Sequence, residues 1–321
     1  MRKRALHRNR GAPRRARRSS VATPVALRFT AQVTRRELRS AAALLGLALL
    51  LGACAPKDEG GSASATSAGA DACAKDKLQL VSSGKLTAGT DKPAYEPWFK
   101  GDDPSNGQGF ESAVAYAVAG KLGFSDKEVA WTVAPFNSVI QPGPKKFDFD
   151  INQVSITEER KRAVDFSSGY YAVSQAVIAL KDSRIAGATS VADLKDAKLG
   201  AAVGTTSYRA IVDQIKPGKQ PAVFDTNDVA KAALKNGQID GLVLDLPTAF
   251  YVTAAEIDTA KIVGQLPPTG PNPEEFGLVL EKGSPLTQCV SKAVDALRGN
   301  GDLKKLQDRW LSASVGAPVI S

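Results

Sequence analysis

The chain has 321 residues, of which 43% are hydrophobic and 23% are charged, and its formal net charge is +9. A chain of this length and hydrophobic content is typical of a globular protein of about two domains and not of a disordered one. Residues 1–53 hold 13 of the 42 Lys and Arg and one of the 33 Asp and Glu, so residues 54–321 carry 29 minus 32, or −3, which argues against a nucleic-acid partner.

The basic start is followed by an apolar run from Ala41 to Leu51 that is too short to span a bilayer. This pattern predicts a cleaved export signal over residues 1–53. The letters "LGAC" that end at Cys54 resemble the lipobox of bacterial lipoproteins, which implies cleavage before Cys54 and lipid on its thiol. An ordinary secretory signal is the alternative. The Gly, Ser and Ala that follow predict a flexible tether within residues 54–76. A flexible stretch of roughly 17 residues has a root-mean-square span of about 20–25 Å.

The leader is long, and "TRRELRS" resembles a twin-arginine export signal through its paired Arg35 and Arg36. Arg39 stands where that pattern prefers an apolar residue, so the general secretory route stays open. Translation starting downstream of Met1, for example at Val33, also stays open.

If Cys54 carries lipid, the remaining cysteines are Cys73 and Cys289. An exported protein can keep two such cysteines as a disulfide, which here would join the start of the body to its C-terminal helical segment. Two free buried thiols are the alternative.

Strands and helices alternate along the first half of the body. "KLTAGTD" predicts a strand that ends in a turn at Asp91, and "GFESAVAYAVAGKLGF" predicts a helix that ends near Gly123. "EVAWTVAP" and "FDFDINQVSI" predict further strands, the second of them buried. This order favours a parallel sheet with right-handed crossovers.

The second half follows the same pattern. "SVADL" begins with Ser190 as a predicted N-cap, "KLGAAV" predicts a strand, and "YRAIVDQI" predicts a helix. "NDVAKAALKNG" predicts a helix capped at Asn227 or Asp228, which precedes the strand "QIDGLVLD". "GDLKKLQDRWL" predicts a terminal helix. Polar residues just beyond strand ends point to one cleft, because ligands of open α/β sheets bind outside the carboxyl ends of strands: Asp91, Thr205, Thr206 and Asp245.

The only histidine is His7, which lies in the leader. Residues 54–321 therefore lack the histidine that Ser-His-Asp and Cys-His systems and histidine-based zinc sites require. The sequence also contains neither GxxxxGK nor GxGxxG. We expect no cofactor and no metal.

Five segments, in this order, resemble the polar amino-acid-binding proteins of ABC importers, solute-binding family 3: "LTAGTDKPAYEPW", "GFESAVAYAVAGKLGF", "FDFDINQVSITEERKRAVDFSSGYY", "AAVGTTS" and "IDGLVLD". The resemblance implies a type II periplasmic-binding-protein-like fold, in which two α/β lobes are joined by a two-strand hinge. It places the crossovers near Ser174–Leu180 and Gly277–Leu280. Lobe 1 is then 77–174 plus 278–321, and lobe 2 is 175–277.

The resemblance implies that Arg160 binds the α-carboxylate of an amino acid, and a guanidinium fork suits a carboxylate. A solvated charge is the alternative. Asp245 is implied to pair with the α-ammonium, although an Asp before "LPTAF" is also a plausible N-cap. Thr205 and Thr206 are predicted to bind the carboxylate at a helix N-terminus through their hydroxyls and backbone N–H groups. A plain turn is the alternative.

The remaining predicted contacts concern the ligand's shape and side chain. Ser155 is predicted to bind the carboxylate or the ammonium, and the amides of Asn152 and Gln153 to narrow the pocket or reach the side chain. Tyr95 and Phe136, and more weakly Trp98, are predicted apolar walls. Asp91 stands where relatives carry a carboxylate for a cationic or amide side chain, which favours a basic amino acid or glutamine. The spacing from Asp91 to Tyr95 is one residue longer than in the commonest pattern.

The resemblance implies a monomeric binding protein, not an enzyme, on the outer face of the cytoplasmic membrane, with an amino acid and an ABC permease as partners. Lipid on Cys54 is the predicted membrane anchor. A dehydratase of the cyclohexadienyl type on the same fold, with Glu96 as proton donor, is one alternative. A ligand-sensing lipoprotein without an importer is the other.

Overall fold

A computed structural model describes residues 72–312 and 316–321. The predicted signal over 1–53, the lipidation site Cys54 and most of the tether lie outside the described residues. Within the described ranges, no helix is long and apolar enough to cross a membrane.

The described residues form two sheets flanked by helices. The strands are β1 Leu86–Thr90, β2 Val129–Val133, β3 Phe149–Asp150, β4 Asp165–Val173, β5 Gln175–Leu180, β6 Leu199–Ala202, β7 Ala222–Phe224, β8 Gly241–Asp245, β9 Ala260–Gln265 and β10 Glu274–Leu280. The α-helices are α1 Phe110–Lys121, α2 Phe136–Val139, α3 Glu158–Lys161, α4 Thr206–Ala210, α5 Asn227–Lys235, α6 Leu246–Tyr251, α7 Thr287–Gly299 and α8 Asp302–Trp310. Short 3₁₀ helices occur at Lys75–Lys77, Pro104–Asn106, Asp126–Glu128 and Val191–Leu194, and π-helical turns at Ile211–Ile215 and Val252–Glu256 extend α4 and α6.

Each sheet has five strands and mixes parallel with antiparallel pairs. The strand order is β2-β1-β3-β10-β4 in the first sheet and β7-β6-β8-β5-β9 in the second. In the first sheet β1 pairs in parallel with β2 and β3, and β10 pairs antiparallel with β4. In the second sheet β6 pairs in parallel with β7 and β8, and β5 pairs antiparallel with β8. We call the first sheet and its helices the first lobe, and the second sheet and its helices the second lobe.

The core of the first lobe lies between its sheet and the helices α1, α7 and α8. One face of α1 is buried there, because Val114 and Val118 are fully buried and Leu122, which directly follows the helix, is 5% exposed. Trp98 is fully buried beside the rings of Tyr171 and Phe276. It is a core residue and not a wall of the cleft.

Two helix starts test the predicted caps. Ser190 caps the 3₁₀ helix at Val191–Leu194, since its side chain accepts a hydrogen bond from the Asp193 amide, as predicted. The cap of α5 is Thr226, one residue before the predicted Asn227 or Asp228. Ser, Thr, Asn and Asp all cap well, so the run "DTND" does not identify its own cap.

The lobe boundaries differ from the predicted ones in two places. The first crossing falls at Ser174, between β4 and β5, but the chain returns to the first sheet at Glu274, three residues before the predicted crossing. The proline-rich residues 266–273 form no strand, and pairing with β4 begins where the prolines end. The second difference is the C-terminus, which was assigned to lobe 1. Val319 pairs with Gln265 of β9, and Ile320 is buried in the second lobe.

Cys73 and Cys289 form a disulfide, which confirms the predicted pair. It ties the start of the described chain to α7 across 216 residues of sequence. The chain-entropy model gives about 4–5 kcal/mol as an upper figure for a loop of this length.

Candidate ligand-binding site

A cavity of about 210 Å³ lies between the two lobes. Its walls include every predicted contact residue except Ser155 and Trp98: Asp91, Tyr95, Phe136, Asn152, Gln153, Arg160, Thr205, Thr206 and Asp245. Lys92, Ser207 and Asp225 also line it. The predicted convergence of strand ends on one cleft is therefore present in the structure.

The strands of both sheets deliver these residues at their carboxyl ends. Asp91 follows β1, Phe136 opens α2 after β2, and Asn152 follows β3. From the second lobe, Thr205 follows β6 and Asp245 ends β8. The cavity thus occupies the position that open α/β sheets offer to ligands.

Arg160 supplies a buried positive charge to the cavity. It lies in α3, whose N-cap Thr157 accepts a hydrogen bond from the Arg160 amide, and it is 8% exposed. Its guanidinium donates to the carbonyls of Ser155 at 2.7 Å and of Gly204 at 2.9 Å, and lies 5.3 Å from the Phe136 ring centre. Burial lowers the pKa of Arg160 to about 10, so the group stays charged at neutral pH. A guanidinium has five N–H donors, so donors remain for an anion.

Asp245 supplies a negative charge from the opposite lobe. It occupies the N-cap position of α6, but its side chain makes no capping hydrogen bond. Instead Oδ1 accepts from Nε2 of Gln175 at 2.7 Å. Burial, followed by the negative charge of Glu274, raises the pKa of Asp245 to about 7. The cavity therefore has a fixed cation in one lobe and a titratable carboxyl in the other.

A buried polar network surrounds these two groups, and the sequence analysis missed part of it. Ser155 does not line the cavity, since its hydroxyl lies 2.5 Å from Glu274 and 3.2 Å from the Thr206 hydroxyl. Gln175 accepts from the Ser207 hydroxyl at 2.7 Å while it donates to Asp245. The sequence signals were a glutamine at the head of the apolar strand "QAVIAL" and the acid pair in "NPEEF".

The two threonines of "GTTS" have different partners. Thr205 caps α4, because its hydroxyl accepts from the Tyr208 amide at 3.2 Å, and it also donates to the Ala202 carbonyl at 2.7 Å. The hydroxyl of Thr206 contacts Ser155 and, at 3.4 Å, Gln175. Thr205 thus caps the helix, as the alternative of a plain turn implies. Thr206 instead belongs to the buried polar network of Ser155 and Gln175.

Asp91 and Tyr95 lie at the first-lobe side of the cavity. The two carboxylate oxygens of Asp91 accept from the amides of Lys92 at 2.7 Å and Phe136 at 3.1 Å, which fix its position. Tyr95 reaches the second lobe, where Lys231 lies 5.1 Å from its ring centre. Burial and the charge of Asp228 raise the pKa of the Tyr95 hydroxyl.

Asn152 and Gln153 face different surroundings. Asn152 is 7% exposed, and its Nδ2 has no hydrogen-bond partner among the described residues. Gln153 donates from its backbone and side-chain amides to Glu111, which also accepts from the Tyr170 hydroxyl. Burial raises the pKa of Glu111 to about 7. Glu111 thus supports this wall from within a helix that the sequence predicts without indicating a role for its acid.

The lobes also touch each other around the cavity. Arg209 of the second lobe pairs with Glu159 of the first, and the Trp98 indole donates to the Thr248 hydroxyl at 2.9 Å. Together with the bond from Arg160 to Gly204, these contacts mean that the described cleft is closed.

Two other candidate chemistries can be compared with this geometry. Glu96, the acid considered for a dehydratase, is outside the cavity wall, and its carboxylate faces the Gly101 amide at 3.4 Å. Among residues 72–312 and 316–321, no three His, Cys, Asp or Glu side chains are grouped closely enough to hold a metal ion.

The model of the bacterial extracellular solute-binding proteins, family 3, matches residues 86–313. The L-cystine-binding protein TcyJ of Escherichia coli (strain K12) is 30% identical over 227 residues, which cover 69% of this chain and 80% of TcyJ. Other relatives are named as amino-acid-binding proteins, among them the ABC transporter arginine-binding protein 1 of Escherichia coli (strain K12), which is 32% identical over 209 residues that cover 63% of this chain and 81% of that protein.

Two solved structures have the same fold. An ancestral arginine-binding protein bound to glutamine is 32% identical, with a TM-score of 0.57 over 71% of this chain and 97% of that one. The ancestral amino-acid-binding protein AncCDT-1, a precursor of cyclohexadienyl dehydratase, is 28% identical, with a TM-score of 0.55 over 71% and 95% of the two chains. The predicted fold class is confirmed, and the chain belongs to the bacterial extracellular solute-binding proteins, family 3.

Proposed function

We propose that this protein captures a polar L-amino acid in the cavity between its lobes and delivers it to the permease of an ABC importer. The observation that carries the proposal is the opposition of Arg160 and Asp245, which lie in different lobes and line the same cavity. An α-amino acid carries a carboxylate and an ammonium on one carbon. Its head can therefore pair with both residues at once.

The size of the cavity agrees with a cargo of this class. Pockets for drug-sized ligands are about 300–1,000 Å³. The volume of about 210 Å³ is below that range and suits a single amino acid.

We further propose a basic amino acid as the preferred cargo. Arg160 and Asp245 balance the two charges of the ligand head. The wall then holds two further carboxylates, the half-buried Asp91 and the exposed Asp225. The ammonium of Lys92 also lines the wall, but it pairs with Asp102 at 3.0 Å. A cationic side chain of the ligand would supply a counter-charge to Asp91. Glutamine is the second candidate. Cystine is a third candidate ligand, because the relative TcyJ is named as an L-cystine-binding protein.

Capture would proceed by closure of the lobes about the two crossings at Ser174 and residues 266–273. A ligand stabilises a closed form only through contacts that the open form lacks. A zwitterion that bridges Arg160 and Asp245 supplies such contacts. Phe136 and Tyr95 would then cover the ligand's side chain.

We also propose that the chain acts as a monomer on the outer face of the cytoplasmic membrane, held there by lipid on Cys54. The leader pattern and "LGAC" support this proposal. Intact-mass measurement of membrane-extracted protein would give the mass of a chain that begins at lipidated Cys54. Recovery of unmodified chain in the soluble fraction would contradict the anchor.

The test of the binding function is a thermal-unfolding screen of the exported chain against the twenty amino acids, ornithine, citrulline and cystine. The protein is first unfolded and refolded without reductant, which removes any bound cargo and keeps the disulfide. A ligand at 100 times its Kd should stabilise the protein by about 2.7 kcal/mol. Stabilisation by one or a few polar amino acids supports the proposal, and none with any of them contradicts it.

A dehydratase remains the competing function because AncCDT-1 is similar to this chain. The position of Glu96 outside the cavity disfavours that acid as the proton donor. Incubation with prephenate and arogenate decides between the functions, because a binding protein forms no product from either.

A further inference from the structure

Both crossings between the lobes carry a polar side chain to the Asp245 end of the cavity. Gln175 is the first residue of β5, directly after the first crossing. Glu274 is the first residue of β10, directly after the second. Gln175 and Glu274, which were not among the predicted site residues, therefore lie together beside Asp245.

The contacts among these side chains form a connected chain. Nε2 of Gln175 donates to Asp245 at 2.7 Å and lies 3.4 and 3.5 Å from the two carboxylate oxygens of Glu274. Glu274 accepts from the Ser155 hydroxyl at 2.5 Å, and Oε1 of Gln175 accepts from Ser207. Gln175 is 4% exposed, so this amide is fixed between two carboxylates.

The charges that face Asp245 come from several elements. The negative groups are Glu274 on β10 and Glu111 on α1, and the positive group is Arg160 on α3. The charge of Asp245 also contributes to the raised pKa values of the Tyr170 and Tyr171 hydroxyls on β4, after their burial. The ligand-free site thus holds more carboxylates than cations, which is an unfavourable state that an ammonium group relieves.

We propose that Glu274 is a positioning residue for the ligand's ammonium: through Gln175 it holds Asp245 in place, and its charge makes ammonium binding release a proton from Asp245. The inference rests on the proposed function and adds the regulation of that site by pH. The proton leaves the Asp245 carboxyl for bulk water as the ammonium pairs with the carboxylate that remains.

The direction of the pH effect follows from the raised pKa of Asp245, whose causes are its burial and the neighbouring charge of Glu274. The pKa of Asp245 in the ligand-free protein is about 7, because of burial and the charge of Glu274. Below pH 7 the carboxyl is mostly protonated and must lose its proton before it can pair with an ammonium. Affinity therefore falls as the pH drops below 7, at up to about tenfold per pH unit.

Two variants separate this role from a structural one. Glu274→Gln keeps the acceptor for Ser155 and removes the charge. Glu275→Gln is the matched control, because the next residue on the same strand is 43% exposed and lies 4.0 Å from Arg298. A merely structural Glu274 would alter stability without moving the titration of Asp245.

The first measurement needs no ligand. Carboxyl ¹³C NMR follows the titration of Asp245, identified as the resonance that Asp245→Asn removes. We expect its midpoint near pH 7 in the wild type and in Glu275→Gln, and about one pH unit lower in Glu274→Gln. An unchanged midpoint in Glu274→Gln overturns the inference.

The second measurement is calorimetric titration with L-arginine, L-glutamine and L-cystine from pH 5.5 to 8, in two buffers with different ionisation enthalpies. The wild type should release protons on binding at pH 6.5, and Glu274→Gln should release fewer. Binding without proton release by the wild type overturns the inference and leaves the proposed function intact. If the wild type binds none of these three ligands and no amino acid of the thermal-unfolding screen, both the inference and the proposed function are overturned, while the NMR titration still reports the effect of Glu274 on Asp245.

Discussion

The two ends of the cavity are built differently. Arg160 is held by backbone carbonyls, and its pKa of about 10 keeps it charged at neutral pH. Asp245 is held by the side-chain amide of Gln175, and its pKa of about 7 leaves it half protonated there. Burial acts on both groups, but it moves only the carboxyl into the physiological range. One end is thus a permanent charge and the other responds to pH.

The largest effect should come from removal of the permanent charge. Arg160→Met leaves a ligand carboxylate without its partner in a closed cavity, and the loss of such a partner costs about 2–5 kcal/mol. We expect affinity for every cargo to fall by at least about tenfold, measured by calorimetry.

Arg162→Met is the control for that variant, since Arg162 is exposed two residues further along the chain. Arg160 also donates to the Gly204 carbonyl of the second lobe, so Arg160→Gln serves if Arg160→Met does not fold, because its amide can still donate a hydrogen bond but carries no charge. Wild-type affinity in a folded Arg160 variant would refute the carboxylate role.

A smaller effect, selective for the ligand's side chain, should follow a change at Asp91, which lies in the cavity wall apart from Arg160 and Asp245. Asp91→Asn keeps an oxygen for the Phe136 amide and removes the charge. We expect affinity for L-arginine to fall by about tenfold and affinity for L-glutamine to change by less than about threefold, because only the cationic side chain needs a counter-charge. Competition binding measures both, with the exposed Asp126→Asn as control. Equal losses for the two ligands would show that Asp91 does not read side-chain charge.

The smallest effect concerns stability without ligand. The pKa values of Asp245 and Glu111 are raised to about 7, so between about pH 4 and 7 the folded protein binds more protons at these groups than the unfolded chain does. Their contribution to stability is present at low pH and is lost as pH rises through 7. Asp245→Asn should therefore reduce the loss of stability between pH 5 and pH 8, measured by denaturant unfolding. A pH dependence identical to that of the wild type would contradict the raised pKa of Asp245.

Local patterns predicted most of the fold. The strand at Leu86–Thr90, the helix at Phe110–Lys121 and the strand at Gly241–Asp245 lie where periodicity and turn residues put them. These elements are specified by residues close in sequence. The crossing at residues 266–273 and the pairing of Val319 with β9 depend on partners far along the chain, so local patterns did not reveal them.

The candidate site divides in the same way. Residues at strand ends were predicted together because the topology of α/β sheets brings those ends together. Gln175 and Glu274 were missed because each begins a strand in a different sheet, and only the tertiary structure brings them beside Asp245. Trp98 was considered as a wall since aromatic residues occur both in cores and in sites, and burial assigns it to the core.

The most direct test of the account is a crystal structure of the chain with the amino acid that stabilises it most. The account predicts one ligand in the cavity, with its carboxylate on the Arg160 guanidinium and its ammonium on the Asp245 carboxylate. A ligand in the opposite orientation, or one bound outside this cavity, would contradict it.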